Sequence, residues 1–160
     1  MATVTKKFLP QERSNTGAYG NAWKQVYSLD TNSSGVFTNS NLATALQIGD
    51  VVRFGIIPGG VQLLDAIALV STTFSASTTC KIGFQYVDGV DSTSVPQDDD
   101  YFIAASTSLA TAVRQQSNNT GVRPVKLPKD AYIILTLAGA ANAKASALDV
   151  IVRGIQLGQD

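Results

Sequence analysis

The residues with the most chemistry to offer are five carboxylates in one short stretch: Asp88, Asp91, Asp98, Asp99 and Asp100. No cation falls between Lys81 and Arg114. Carboxylate oxygens on a loop are what calcium selects, yet the intervals match no calcium-loop spacing. Three uses therefore stay open: a calcium site, a surface that docks on basic residues of a neighbouring subunit, and a solvated acidic loop. The contiguous run Asp98, Asp99 and Asp100 is the candidate docking loop, and no metal or other cofactor is assigned to it.

A second group is basic. Lys6, Lys7 and Arg13, followed by Lys24, lie near Phe8, Leu9, Tyr19 and Trp23. Interleaved cations and aromatics can hold single-stranded nucleic acid, but the aromatics are few, and the 12 cations balance 12 anions. A chain of zero net charge has no global field to collect polyanions, so no nucleic-acid partner is expected. The segment reads instead as an arm along a partner protein, with Lys6, Lys7, Phe8, Leu9, Arg13 and Tyr19 as its contacts. The plain alternative is a frayed terminus.

Catalytic groupings fail at the level of residue type. The sequence has no histidine, which removes Ser-His-Asp and Cys-His mechanisms and the commonest general base at neutral pH. One cysteine, Cys80, can form neither an internal disulfide nor a thiolate metal cage. Its strand-like neighbours mark it as a small buried hydrophobe. Gly59-Gly60 lacks the lysine-serine pair of a phosphate loop. Asp65, Asp130 and Asp149 fall on a strand face, a turn and a strand start, with nothing to pair them for two-carboxylate chemistry. The chain does not read as an enzyme.

The elements that must position these residues are strands. A length of 160 residues suits one domain and one core. Charged residues are 15% against about 25% in average globular proteins, and Glu12 is the only glutamate. Amphipathic surface helices draw on Glu and Lys, so a helical protein is disfavoured, and a weakly charged surface suggests partial cover by a partner. Alternation marks Trp23 to Leu29, then Val52, Phe54 and Ile56. It continues with Leu64, Ala66, Ala68 and Val70 opposite Leu63, Asp65, Ile67 and Leu69. Later come Ile82, Phe84 and Tyr86; Ile133, Leu135 and Leu137; and Leu148, Val150 and Val152. Asn39 to Leu46 and Ser108 to Gln115 each fit a helical turn or a loop. Asp88 to Asp100 reads as a loop, Tyr101 to Ile103 as a short strand, and Gly139 to Ala147 as a small-residue linker. Seven to nine short strands predict an all-β, antiparallel, jelly-roll-like sandwich. Residues 1–20 form an extended N-terminal arm and 21–160 the single domain. The polar N-terminus has no signal core, and no apolar run approaches the ~18 residues of a membrane span. A soluble product with no membrane partner is expected.

The stretch GDVVRFGIIPGGVQLLDAIALVSTTFSASTTCKIGFQYVDG, Gly49 to Gly89, resembles a pattern of small bacteriophage head proteins. An Asp-Val strand leads to an apolar-Pro-x-Gly turn, then to Leu-Asp-Ala-apolar-Leu, then to a strand carrying a glycine. DDDYFIAASTSL, VKLPKDAYIILTL and LDVIVRG continue the order, so the resemblance spans residues 49 to 155 and leaves the arm outside. It implies a capsid decoration, or cement, protein. Such a protein would be a virion component made in the host cytoplasm, seated on the capsid surface and bound to the major capsid protein. It would sit there as an oligomer, and apolar residues on both faces of Val61 to Val70 with so few charges point to a homotrimer, with a dimer second. The family carries no active site. Two other readings stay open: another virion part (tail, collar or head fibre), and a carbohydrate-binding β-sandwich. The latter would need exposed aromatics, whereas Phe84 and Tyr86 read as strand residues and Trp23 is the only tryptophan.

Overall fold

The computed structural model describes residues 2–5 and 21–158. Every regular element among them is a strand: β1 (Thr3–Thr5), β2 (Ala22–Thr31), β3 (Val51–Ile57), β4 (Val61–Thr72), β5 (Thr79–Tyr86), β6 (Asp98–Ser108), β7 (Val113–Gln116), β8 (Val125–Lys126), β9 (Ala131–Ala138) and β10 (Ser146–Gln156). They form two sheets, in the orders β1-β3-β9-β5-β6 and β2-β10-β4-β7, with β8 pairing β4 beside β7. Successive strands mostly change sheet. Only β5 and β6 follow one another directly as neighbours in one sheet. The all-β sandwich reading therefore stands.

One pair is not antiparallel. β1 runs parallel to β3, with Val4 opposite Val52, and Val4 is fully buried. The Ala2 N–H donates to Asp50 Oδ1 at 2.9 Å, and the Thr5 N–H to Asn41 Oδ1 at 2.8 Å. Residues 2–5 of the expected arm are thus sheet and core. The rest of the expected arm, with Lys6, Lys7, Phe8, Leu9, Arg13 and Tyr19, lies outside the described residues.

Period-two alternation places the core where the strands are regular. Ile82, Phe84 and Tyr86 of β5, Ile133, Leu135 and Leu137 of β9, and Leu148, Val150 and Val152 of β10 are all buried between the sheets. Trp23, Tyr27 and Leu29 of β2 join them. Full burial of one such side chain contributes about 1.5–3 kcal/mol. Cys80 lies in the same layer, where burial pushes its thiol up to about 12, an inert, protonated sulfur.

The alternation breaks at bulges, because one extra residue moves every later side chain to the other face. A register shift between Arg53 and Gly55 turns Ile57 inward, fully buried, where the sequence had put Ile56. On β4 a shift opposite Arg153 and Gly154 leaves Leu64 45% exposed, while Leu63, Ala66, Ala68 and Val70 face the core. Leu64 therefore does not share a face with Ala66. Two loop expectations also change. The aspartate run opens β6, and the end of the segment from Ser108 to Gln115 belongs to β7, which pairs Val113–Gln116 with β4. Residues 39 to 46 contain no helix.

Candidate functional site: the β5–β6 edge

The aspartate run lies at the free edge of the first sheet. β6 follows β5 only loosely: Ile82 pairs Ile103, but Phe84, two residues on, pairs Asp98, five residues back. The surplus residues bring the β6 backbone across Gly83. A Cβ there would fall on the carbonyl oxygen of Asp98, so only glycine lets the two backbones approach this closely.

Three interactions fix the carboxylates. Lys81 Nζ pairs with Asp99 Oδ2 at 2.6 Å. The Asp100 N–H donates to Asp98 Oδ1 at 3.0 Å. Asn119 Nδ2 donates to the Asp100 carbonyl at 3.0 Å and to its Oδ1 at 3.3 Å. The three side chains bring carboxylate oxygens within 4.8 Å of one another. Burial, opposed by the Asp100 N–H and reinforced by the Asp100 and Asp99 carboxyls, holds Asp98 above the ordinary carboxylate range. Calcium takes six to eight oxygens. Asp98, Asp99 and Asp100 supply a minority of such a shell, and Lys81 already competes for Asp99. The cluster suits a hydrogen-bonded or ion-paired contact with a basic surface better than a closed cation cage.

Aromatic packing stiffens the site from below. Phe84 meets Tyr101 edge-on at 5.4 Å and Tyr86 at 5.8 Å, and Tyr101 meets Phe102 at 4.8 Å. Each such contact contributes about 0.5–1.5 kcal/mol beyond area burial. The hydroxyls reach outward to hold loops: Tyr86 donates to the Val95 carbonyl at 2.6 Å and Tyr101 to the Arg123 carbonyl at 2.8 Å. Beside them, Ser117 and Asn118 join the sheets. The Ala66 N–H donates to Ser117 Oγ at 2.9 Å, and the Ala104 N–H to Asn118 Oδ1 at 2.7 Å.

Asp88, near the start of the same loop, belongs to a different contact. Lys129 Nζ meets its Oδ2 at 2.7 Å and lies 4.7 Å from the Tyr86 ring centre. The Lys129 hydrogen bond, the main cause, holds the Asp88 carboxyl below its usual range. Asp91 accepts the Gln97 N–H at 2.7 Å. Asp88 and Asp91 thus shape the loop, and only Asp98, Asp99 and Asp100 converge. Lys81, Gly83 and Asn119 complete the site. The sequence signal for Lys81 was its place as the last cation before the acidic run, and for Gly83 its place in the strand that carries a glycine; Asn119 gave none.

The remaining acids are separated. Asp130 Oδ1 accepts the Gly59 N–H at 2.8 Å, and Asp149 Oδ1 accepts the Ser28 hydroxyl at 2.6 Å. Asp65 lies beside Arg153 in the β4–β10 ladder. Trp23, Phe84 and Tyr86 are buried and offer no stacking platform. Among the described aromatics only Tyr132 is part-exposed, and the Arg53 guanidinium covers its ring at 4.7 Å.

No protein-family model matches the sequence, and no curated protein matches it either. Solved structures do share the fold. A chain of the capsid of Ralstonia phage GP4 aligns with TM-score 0.63 at 14% identity, over 99% of this chain and 99% of that one. A chain of the cyanophage Pam1 capsid asymmetric unit aligns with TM-score 0.57 at 13% identity, over 91% and 92%. At these identities the likeness is one of fold. The two-sheet architecture is one found in phage capsids, the class of protein to which the motifs of residues 49–155 pointed.

Proposed function

We propose that this chain is a structural component of a phage virion that binds the outside of the capsid and ties neighbouring capsomers together. The observation that carries the reading is the end-to-end match, 99% of each chain, to a chain of the Ralstonia phage GP4 capsid. The continuous apolar core between the two sheets fits a structural part. The partners in this reading are the major capsid protein and further copies of the chain. It would be made in the host cytoplasm and reside on the capsid surface.

The physical logic is linkage. A protein that binds only the assembled shell stabilises that shell by mass action, and weak contacts repeated over a lattice gain by avidity. In this reading the segment with Lys6, Lys7, Phe8, Leu9, Arg13 and Tyr19 supplies the grip. Asp98, Asp99 and Asp100 dock on a basic neighbour, with Lys81 holding Asp99 until a stronger cation displaces it. The test is a re-binding titration on heads stripped of this protein, read by gel and electron microscopy. Saturable, regularly spaced density on the outer shell is expected. Failure of the intact protein to bind such heads would overturn the proposal.

A further inference from the structure

The outer face of the second sheet carries a self-complementary pattern. Its ladders align three rows across β2, β10 and β4: Lys24–Arg153–Asp65, Val26–Ile151–Ile67 and Ser28–Asp149–Leu69. Neighbouring rows stand about 7 Å apart along the strands. The middle row is apolar, with Val26 and Ile151 reaching the surface and Ile67 already buried within the chain. Val26 is 45% exposed although it lies in the middle of a strand. On one side the exposed cations Lys24 and Arg153 sit directly opposite each other, with the single carboxylate of Asp65 on the far side of Arg153, so the row keeps an excess of positive charge. On the other side lie Asp149 and, beyond it, the exposed Asp30, while Arg114 of β7 continues the row past Leu69. Among the described residues none of Lys24, Arg153, Asp30 and Asp149 forms an ion pair within the chain.

We propose that this face packs on the same face of a second copy, about a two-fold axis running along the Val26–Ile151–Ile67 row. A two-fold contact is isologous, each patch meeting itself, and rotation about that row exchanges the basic and acidic sides. Arg153 then faces the partner's Asp149, and Asp149 faces the partner's Arg153. Lys24 meets the row of Ser28 and Asp149. Leu69 and its β7 neighbour Arg114 face the partner's Asp65, and Val26 and Ile151 of the two middle rows close on each other. Sheets packed face to face hold their strands within about 30° of alignment, which keeps these rows in register near the axis. The contact is independent of the capsid reading and corresponds to a dimer rather than a trimer.

The test is sedimentation equilibrium of the full chain, without capsids. The intact protein should dimerise at micromolar concentration. Arg153→Glu sets acid against acid and Asp149→Arg sets base against base, so each alone should weaken dimerisation at least about tenfold, roughly 1.4 kcal/mol. An equimolar mixture of the two should form a heterodimer close to intact strength, because both cross-axis pairs are then opposite in sign. A misfolded variant cannot be rescued by mixing, and Lys24→Glu, at an exposed site, gives a second weakening variant. A monomeric intact protein, single variants that dimerise at full strength, or a mixture that fails to associate would each overturn the proposal. If the intact protein is monomeric while Val26→Glu loses binding to stripped heads, the face belongs to the lattice instead.

Discussion

Asn142 Nδ2 donates to Thr31 Oγ1 across 3.1 Å in a fully buried position, joining the loop before β10 to the end of β2. The same amide group reaches Ser146 Oγ at 2.7 Å and the Lys144 carbonyl at 2.9 Å. Its oxygen accepts the Ser75 N–H at 3.1 Å. Gly35, at φ 77°, sits so close to the Asn142 carbonyl that a Cβ there would collide with it. One amide thus fastens three segments at one end of the sandwich. Asn142→Ala removes the amide and strands its partners, for a loss of about 1–3 kcal/mol in denaturant unfolding. A loss under about 0.5 kcal/mol would mean that water replaces the side chain at little cost.

Phe84 is enclosed between the sheets and touches two further rings. Phe84→Ala should cost about 3–5 kcal/mol. Equilibrium unfolding in urea measures it, and a change below about 1 kcal/mol would contradict a close-packed interior at this position.

Gly83→Ala tests the close passage of β6 over β5. The new methyl group meets backbone rather than a movable side chain, so the cost of about 1–3 kcal/mol expected for overpacking should come with displacement of Asp98–Asp100. Amide exchange should quicken in residues 98–100 and stay unchanged in β9 and β10. Uniform quickening would argue against a local clash.

Asp98 makes the stability pH-dependent. Burial raises its carboxyl above the ordinary range, so the folded state holds this proton more tightly than the unfolded chain does. That contribution is fully present below the unfolded value and is lost as pH rises through the folded one. Asp98→Asn, which cannot ionise, should melt higher than the intact protein at pH 7, with the difference shrinking as pH falls to about 4. A variant that melts lower at pH 7 would show that the ionised form is favoured by its Asp100 N–H contact.

The proposed grip can be tested without disturbing β1, whose Val4 belongs to the core. Replacing Lys6, Lys7, Phe8, Leu9, Arg13 and Tyr19 together with alanine should leave the thermal midpoint of the free protein nearly unchanged. Occupancy on stripped heads should fall at least about tenfold, roughly 1.4 kcal/mol per binding event. Replacing only the three cations should give a smaller, salt-dependent loss. Full-strength binding by the six-fold variant would sink the grip hypothesis.

Legibility in the sequence followed regularity. β5, β9 and β10 alternate without interruption on their buried faces, so Phe84, Leu135 and Val150 could be placed by counting in twos. Counting failed at Ile56 and Leu64, because a bulge is set by how two distant strands meet and leaves no mark in either one. The aspartates that open β6 read as loop because aspartate disfavours strands; here an edge position and the Lys81 pair accommodate them. Asn142 went unnoticed within a run of small residues, since its role depends on Thr31, more than a hundred positions away.

The strand order also governs how the molecule is made. β9 lies between β3 and β5, and β10 between β2 and β4, so each sheet has a late segment at its centre. During synthesis β2 has no strand to pair with, and β3, β4 and β5 each lack their central neighbour, until residues 131–138 and 146–156 have left the ribosome. Their apolar faces and open edges stay uncovered throughout that interval, the condition under which chains aggregate. Closure then depends on contacts between residues far apart in sequence, which places folding toward the slow end, milliseconds to seconds. Completion of the second sheet is therefore limited by how quickly β10 finds its slot between β2 and β4.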